Sequence, residues 1–173
     1  RSSRVTQIEL RFNPMKRNRG GERDLDHIIL AAIRGLDLAE LEYPQVHAGL
    51  ILMMDRTFTP EQNMIVVEKA IRWSPRGVVG VDIAGPESST FRVADYRKLL
   101  RRARQFGLGI TIHTGESGPV EEVARVVELL EPDRIGHGVK AAYDPRAMAM
   151  ISERGIVLEI CPTSNLNTGV VSG

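Results

Sequence analysis

Cysteine is nearly absent from this chain. Cys161 stands alone among 173 residues, which excludes an internal disulfide and any CxxC metal site and points to a reducing compartment, the cytoplasm. Charge of one sign is not in excess either: the formal net charge is +1, so nothing electrostatic calls for nucleic acid or an acidic membrane as a partner. No apolar run approaches the roughly 18 residues of a membrane span. The first residues, Arg1 to Gln7, lack the apolar core of a signal peptide. Neither a G-x-G-x-x-G turn nor a Walker A loop follows the first strand-like run, where F-N-P-M-K-R-N-R-G-G stands instead.

An ordinary globular composition remains, 42% hydrophobic and 26% charged, at a length that suits one domain, residues 1–173. Short β-type runs alternate with amphipathic stretches. Val5 to Phe12 alternates polar and apolar residues and stops at Asn13-Pro14. Asp24 to Leu41 repeats apolar residues close to helical period. A strand over Val46 to Met54 precedes Thr59-Pro60-Glu61, an N-cap with proline at the first helical position, and a helix running to about Trp73. Strands are then expected at Gly77 to Ile83, Leu108 to His113, Arg134 to His137 and Ile156 to Cys161. Helices are expected at Val93 to Phe106, Pro119 to Leu130 and Pro145 to Arg154, the last closed by Gly155. Six strands with five helices between them imply βαβ units and a parallel sheet covered on both faces. The two architectures of that class are a doubly wound open sheet and a (β/α)8 barrel.

The strand ends favour the barrel, whose functional residues come from the C-terminal ends of several strands. The third run ends in Asp82 and leads to Ala84-Gly85-Pro86-Glu87. The fourth ends in His113 and leads to Thr114-Gly115-Glu116. The fifth gives Gly136-His137-Gly138, and the sixth gives Glu159 and Cys161, then Pro162-Thr163-Ser164-Asn165. Parallel neighbours would converge these side chains on one mouth. A neutral imidazole suits zinc, and a carboxylate just beyond the strand suits acid–base work. Each piece has a plainer reading: Asp82 could cap the next helix, the glycines of G-H-G could only mark a tight turn, and Cys161 could be a small buried hydrophobe. His27 reads as solvated surface, His47 as a histidine at the wrong end of its strand for a barrel site, Met53, Met54, Met148 and Met150 as core filling, and Lys16 to Arg19 as a solvated loop. The strand-end set outweighs these separate readings because its members share one edge.

H-T-G-E at 113–116, R-I-G-H-G at 134–138 and E-I-C-P-T-S-N at 159–165, together with V-G-V-D-I-A-G-P-E at 79–87 and I-E-L-R-F-N-P at 8–14, resemble the adenosine deaminase family of metal-dependent amidohydrolases. Thr114 departs from the alanine that many members carry. The resemblance implies a (β/α)8 TIM barrel of which the second to seventh strands are present, so that the chain is an incomplete deaminase barrel. It implies hydrolytic deamination of an adenosine-like aminopurine nucleoside or base with one Zn2+ per active site. His113 matches a metal ligand, Glu116 the acid that protonates the purine ring at N1, His137 the residue that holds the attacking water, and Gly85 a glycine whose N–H binds the purine. The family's H-x-H pair and its last-strand aspartate have no counterpart here, so the isolated 173 residues are expected to be inactive. Two rival readings are another metal-dependent amidohydrolase and a catalytically inactive partial barrel. No lysine stands at a strand end to bridge two metals, Lys140 lying in a loop.

Overall fold

The computed structural model describes residues 4–18, 24–87 and 91–171. It contains six strands, β1 (Gln7–Phe12), β2 (His47–Asp55), β3 (Val78–Ala84), β4 (Gly109–Thr114), β5 (Arg134–His137) and β6 (Val157–Glu159), in one sheet whose spatial order is the chain order. Every neighbouring pair is parallel. Helices α1 (Asp26–Glu42), α2 (Pro60–Trp73), α3 (Arg97–Gln105), α4 (Glu121–Leu130) and α5 (Pro145–Glu153) fill the connections, and α6 (Pro162–Asn167) follows β6. The sheet curls. Arg11 on β1 reaches Glu159 on β6 at 2.6 Å, and Arg134 on β5 reaches Glu9 on β1 at 2.6 Å, so side chains of the two edge strands meet across a common interior. This is most of the wall of a (β/α)8 barrel.

Alternation along the strands separates two environments. Outward residues such as Leu50, Leu52 and Met54 of β2, Val81 and Ile83 of β3, and Ile110 and Ile112 of β4 pack against Ile29 and Ile33 of α1, Val66, Val67 and Ala70 of α2, Leu99, Leu100 and Ala103 of α3, and Val126 and Leu130 of α4. A smaller cluster joins Ile135 of β5 to Val123, Val127, Ala147 and Ile151. Inward residues are largely polar: Glu9, Arg11, Asp82, His113, Arg134 and Glu159 are linked by ion pairs. The apolar members of β1 therefore face outward, where Ile8 and Leu10 are 40% and 44% exposed.

Local signals set several element ends. Thr59 and Gln62 form a reciprocal capping box at the start of α2, with Pro60 in the first turn. Asp144 accepts from the N–H groups of Arg146 and Ala147 to start α5. Three elements differ from the expectation. The stretch expected as one helix from Val93 begins with a 3-10 turn, Val93–Tyr96, before α3; Tyr96 is anchored there, accepting from Asn63 Nδ2 at 3.0 Å and donating to the Phe58 carbonyl. Strand β6 spans three residues rather than six, because β5 supplies partners only from Arg134 to Gly136. Helix α6 was not anticipated, although Pro162 at its first position is a recognised helix-start signal.

Candidate active site

Strands β3, β4 and β5 deliver Asp82, His113 and His137 to one end of the barrel. Asp82 is fully buried and spends both carboxylate oxygens: Oδ2 accepts from Arg11 Nη1 at 3.0 Å and Oδ1 lies 3.0 Å from His113 Nδ1. A carboxylate can only accept, so Nδ1 carries the proton and the His113 Nε2 lone pair is free to bind a cation. This carboxylate–histidine arrangement is how proteins orient a metal-ligating imidazole. Arg11 is held in turn by Glu159, and although burial opposes its charge, Asp82 and Glu159 keep its pKa above the ordinary value. Asp82 is thus an interior ion-pair partner and caps no helix.

Gly136 makes room for the ring. It is the register partner of His113, and a Cβ at position 136 would stand 2.7–2.8 Å from three atoms of the imidazole. His137 comes next with φ of +64°, a left-handed conformation that is rare outside glycine. Its Nε2 lies 3.5 Å from Glu116 Oε2, and the His113 and His137 rings meet edge to face with centroids 5.4 Å apart.

Glu116 sits on a turn just beyond β4 that is gripped from both sides. The Glu87 carboxylate accepts from the backbone N–H groups of Glu116 (3.1 Å), Ser117 (3.0 Å) and Gly118. Lys140 donates to the carbonyls of Ser117 (3.0 Å) and Gly118 (2.7 Å). Lys140 therefore clamps the acid-bearing turn from a 3-10 segment, Val139–Tyr143. Asn165, buried at the second turn of α6, donates from Nδ2 toward His137 Nδ1 (3.1 Å) and Glu116 Oε1 (3.4 Å).

Two further groups brace this end. Arg56, just past β2, is buried with its guanidinium 4.0 Å from the Phe91 ring centroid; Nη2 donates to the His113 carbonyl at 2.6 Å and to Glu122 Oε1 at 2.8 Å. The same Glu122 oxygen accepts from Thr114 Oγ1 at 2.8 Å, so the threonine that departs from the family's common alanine has a polar partner. Gly85 has φ of +110°, and a Cβ there would lie 3.2 Å from Asp55 Oδ1 and 3.3 Å from Arg56 N. Burial pushes the Asp55 carboxyl up, but Lys16, the Thr57 hydroxyl and the Thr57 N–H outweigh it and hold its pKa below the ordinary value.

The structure thus gathers His113, Glu116 and His137, and sets Gly85 at the turn after β3. Sequence reading gave no role to Arg11, Arg56 or Glu122, and quoted Glu87 and Asn165 beyond strand ends without placing them. Arg11 carried a signal, a charge on the inward face of an alternating strand. Cys161, read as a small buried hydrophobe, is exposed, because β6 ends two residues earlier and α6 turns it outward. Met148, read as core, is 42% exposed on α5. His27 is exposed as expected, and His47 opens β2 at the end away from the site, also exposed. Of the basic loop, Lys16 and Arg17 are exposed as expected, Lys16 pairing with Asp55 at the same time, while Arg19 lies outside the described residues. No described helix is long and apolar enough to cross a membrane. Among the described residues no three or more His, Cys, Asp or Glu side chains gather around a metal position, and what those residues offer a metal is one oriented imidazole.

Comparison with known proteins gives this geometry a family. The family model described as adenosine deaminase matches residues 2–173. An adenosine deaminase from Clostridium perfringens is 35% identical over 164 residues, 95% of this chain and 48% of that protein. The crystal structure of the Arabidopsis N6-mAMP deaminase is 30% identical with a TM-score of 0.81, covering 98% of this chain and 51% of that one. A zinc-bound amidohydrolase from Burkholderia ambifaria is 28% identical with a TM-score of 0.81, over 93% of this chain and 44% of that one. The chain spans about half the length of the relatives it matches. It belongs to the adenosine deaminase family.

Proposed function

We propose that the protein containing this chain is a zinc-dependent deaminase of an adenosine-like aminopurine, releasing ammonia and the oxo-purine. The observation that carries the reading is the set of three groups at one barrel mouth: Glu116 facing His137 at 3.5 Å, beside a His113 whose Nδ1 is held by Asp82 so that Nε2 is left to face a cation. In this reading His113 Nε2 is one ligand of the metal, with the remaining ligands outside the described residues. Zinc, when bound, lowers the pKa of water toward about 7 and so supplies a nucleophile at neutral pH. Glu116 donates a proton to the purine ring nitrogen N1, which makes the neighbouring amine-bearing carbon electrophilic. His137 orients the attacking water and stabilises charge that develops on its oxygen. Oxygen from water joins that carbon, the carbon–nitrogen bond breaks, and ammonia leaves. The Gly85 N–H binds a ring nitrogen of the purine, which the missing side chain lets approach the backbone. The partner in this reading is a small-molecule purine, nucleoside or base.

Ammonia release from adenosine and related aminopurines by the intact protein tests this. Glu116→Gln is expected to lower kcat by at least about a hundredfold while leaving zinc content intact, and His113→Ala is expected to lose zinc. Full turnover by the first variant, or unchanged zinc in the second, overturns the corresponding role.

A further inference from the structure

Asn165 lies in the C-P-T-S-N motif, but the reading above gives it no task. Its surroundings are unusual for a structural asparagine. The residue is 1% exposed. Its backbone is tied on both sides: its N–H donates to the Cys161 carbonyl at 2.9 Å, and its carbonyl accepts from Val170 and Val171 at 3.0 and 3.3 Å. The amide is therefore held rigidly, and its Nδ2 points between the His137 ring and the Glu116 carboxylate. Its Oδ1 is buried with no hydrogen-bond partner among the described residues, an unfavourable state for a desolvated acceptor. The partner ring belongs to a residue in a strained left-handed conformation. Two unfavourable features meeting at one contact mark a functional constraint.

We propose that Asn165 is a positioning residue that fixes the imidazole of His137 and the carboxylate of Glu116 relative to each other; this rests on the catalytic roles given above. An amide NH2 can only donate, so the His137 nitrogen it faces, Nδ1, must accept. The ring proton then sits on Nε2, on the side of Glu116 Oε2. The reverse orientation of the amide would set a carbonyl oxygen against the Glu116 carboxylate, which is repulsive. This rigid side chain thus selects the tautomer of the imidazole and, with Thr168 Oγ1 at 3.5 Å from the same Glu116 oxygen, the rotamer of the acid, so that water and purine meet groups already aligned. The same logic governs catalytic triads, where a neighbour that dictates the wrong tautomer costs far more than a lost contact.

The experiment uses the intact protein with 15N-labelled histidine, His137 being assigned by loss of its signals in a His137→Gln variant. At neutral pH the parent is expected to show Nδ1 without a proton and Nε2 with one. Asn165→Asp has the same shape but can only accept in its ionised form, and it is expected to place a proton on Nδ1. An Nδ1 proton in the parent, or an unprotonated Nδ1 in Asn165→Asp, overturns the proposal. In turnover, Asn165→Ala and Asn165→Asp are both expected to lower kcat by about a hundredfold with KM and zinc content near those of the parent. A loss confined to KM, or full activity in the Asp variant, also overturns it. An intact protein that deaminates no aminopurine would defeat the functional reading, while the ring-nitrogen measurement would still decide the Asn165 contact.

Discussion

Gly136 shows how much a site can depend on a missing side chain. The glycines of G-H-G invite the reading of a tight turn, and Gly138, with φ of +68°, fits it. Gly136 acts differently: its lack of Cβ provides the space in which the His113 ring lies against the strand. Asp82 holds that ring from the neighbouring strand on the opposite side, so the imidazole lies between β3 and β5. Gly136→Ala is therefore expected to push His113 off Asp82, to cost about 1–3 kcal/mol through overpacking, and to lower zinc content of the intact protein severalfold. Thermal unfolding and metal analysis check this, and a variant matching the parent in both would show that the ring yields freely.

Between elements, the buried Arg56–Glu122 pair joins the end of β2 to the first turn of α4 and braces the end of β4 between them. Removing one partner leaves the other charge buried and uncompensated, a loss of about 3–5 kcal/mol. Arg56→Met and Glu122→Gln are each expected to destabilise the intact protein on that scale. The double variant is expected to lose less than the sum of the two, since no unpaired charge remains. Denaturant unfolding of the three variants measures the coupling, and strict additivity would show that the pair acts as two separate groups. Neither residue stood out in the sequence. Arg56 follows a strand and Glu122 opens a helix, where acidic side chains are common for their favourable interaction with the helix dipole. Only the 66-residue separation closed by the fold makes them partners.

For the molecule as a whole, the curl of the sheet brings β1 and β6 into contact through side chains but not through backbone pairing. Their outer hydrogen-bonding edges carry no strand among the described residues, and outward apolar residues of β1 are exposed beside them. Open edges and uncovered apolar faces promote association. The 173-residue segment made alone is therefore expected to self-associate, to bind no zinc tightly and to release no ammonia. Extending it through its flanking coding sequence is expected to yield a dispersed, metal-loaded protein. Size-exclusion chromatography with light scattering, zinc analysis and an ammonia assay check these outcomes, and turnover by the segment alone would contradict the ligand assignment.

What the sequence by itself determined is the class of fold and the identity of the chemical groups. Period-2 and helical patterns reflect burial along a single element, so the six strands, five of the helices and the caps at Thr59 and Gly155 were legible from local order. Asp82, His113, Glu116 and His137 were legible as a group because strand ends in a parallel barrel share one face, whereas Gly85 stood out only through the family resemblance. Tertiary structure alone decided who holds these groups. Asp82 could have capped a helix as far as local order shows, and becomes the partner of Arg11 and His113 only when β1, β3 and β4 curl around one interior. Glu87 and Lys140 looked like loop charges until two loops closed on the Glu116 turn. Asn165 looked like part of a terminal motif until α6 folded back over His137. Such contacts join residues tens of positions apart and depend on distances of about 3 Å, which sequence periodicity does not encode.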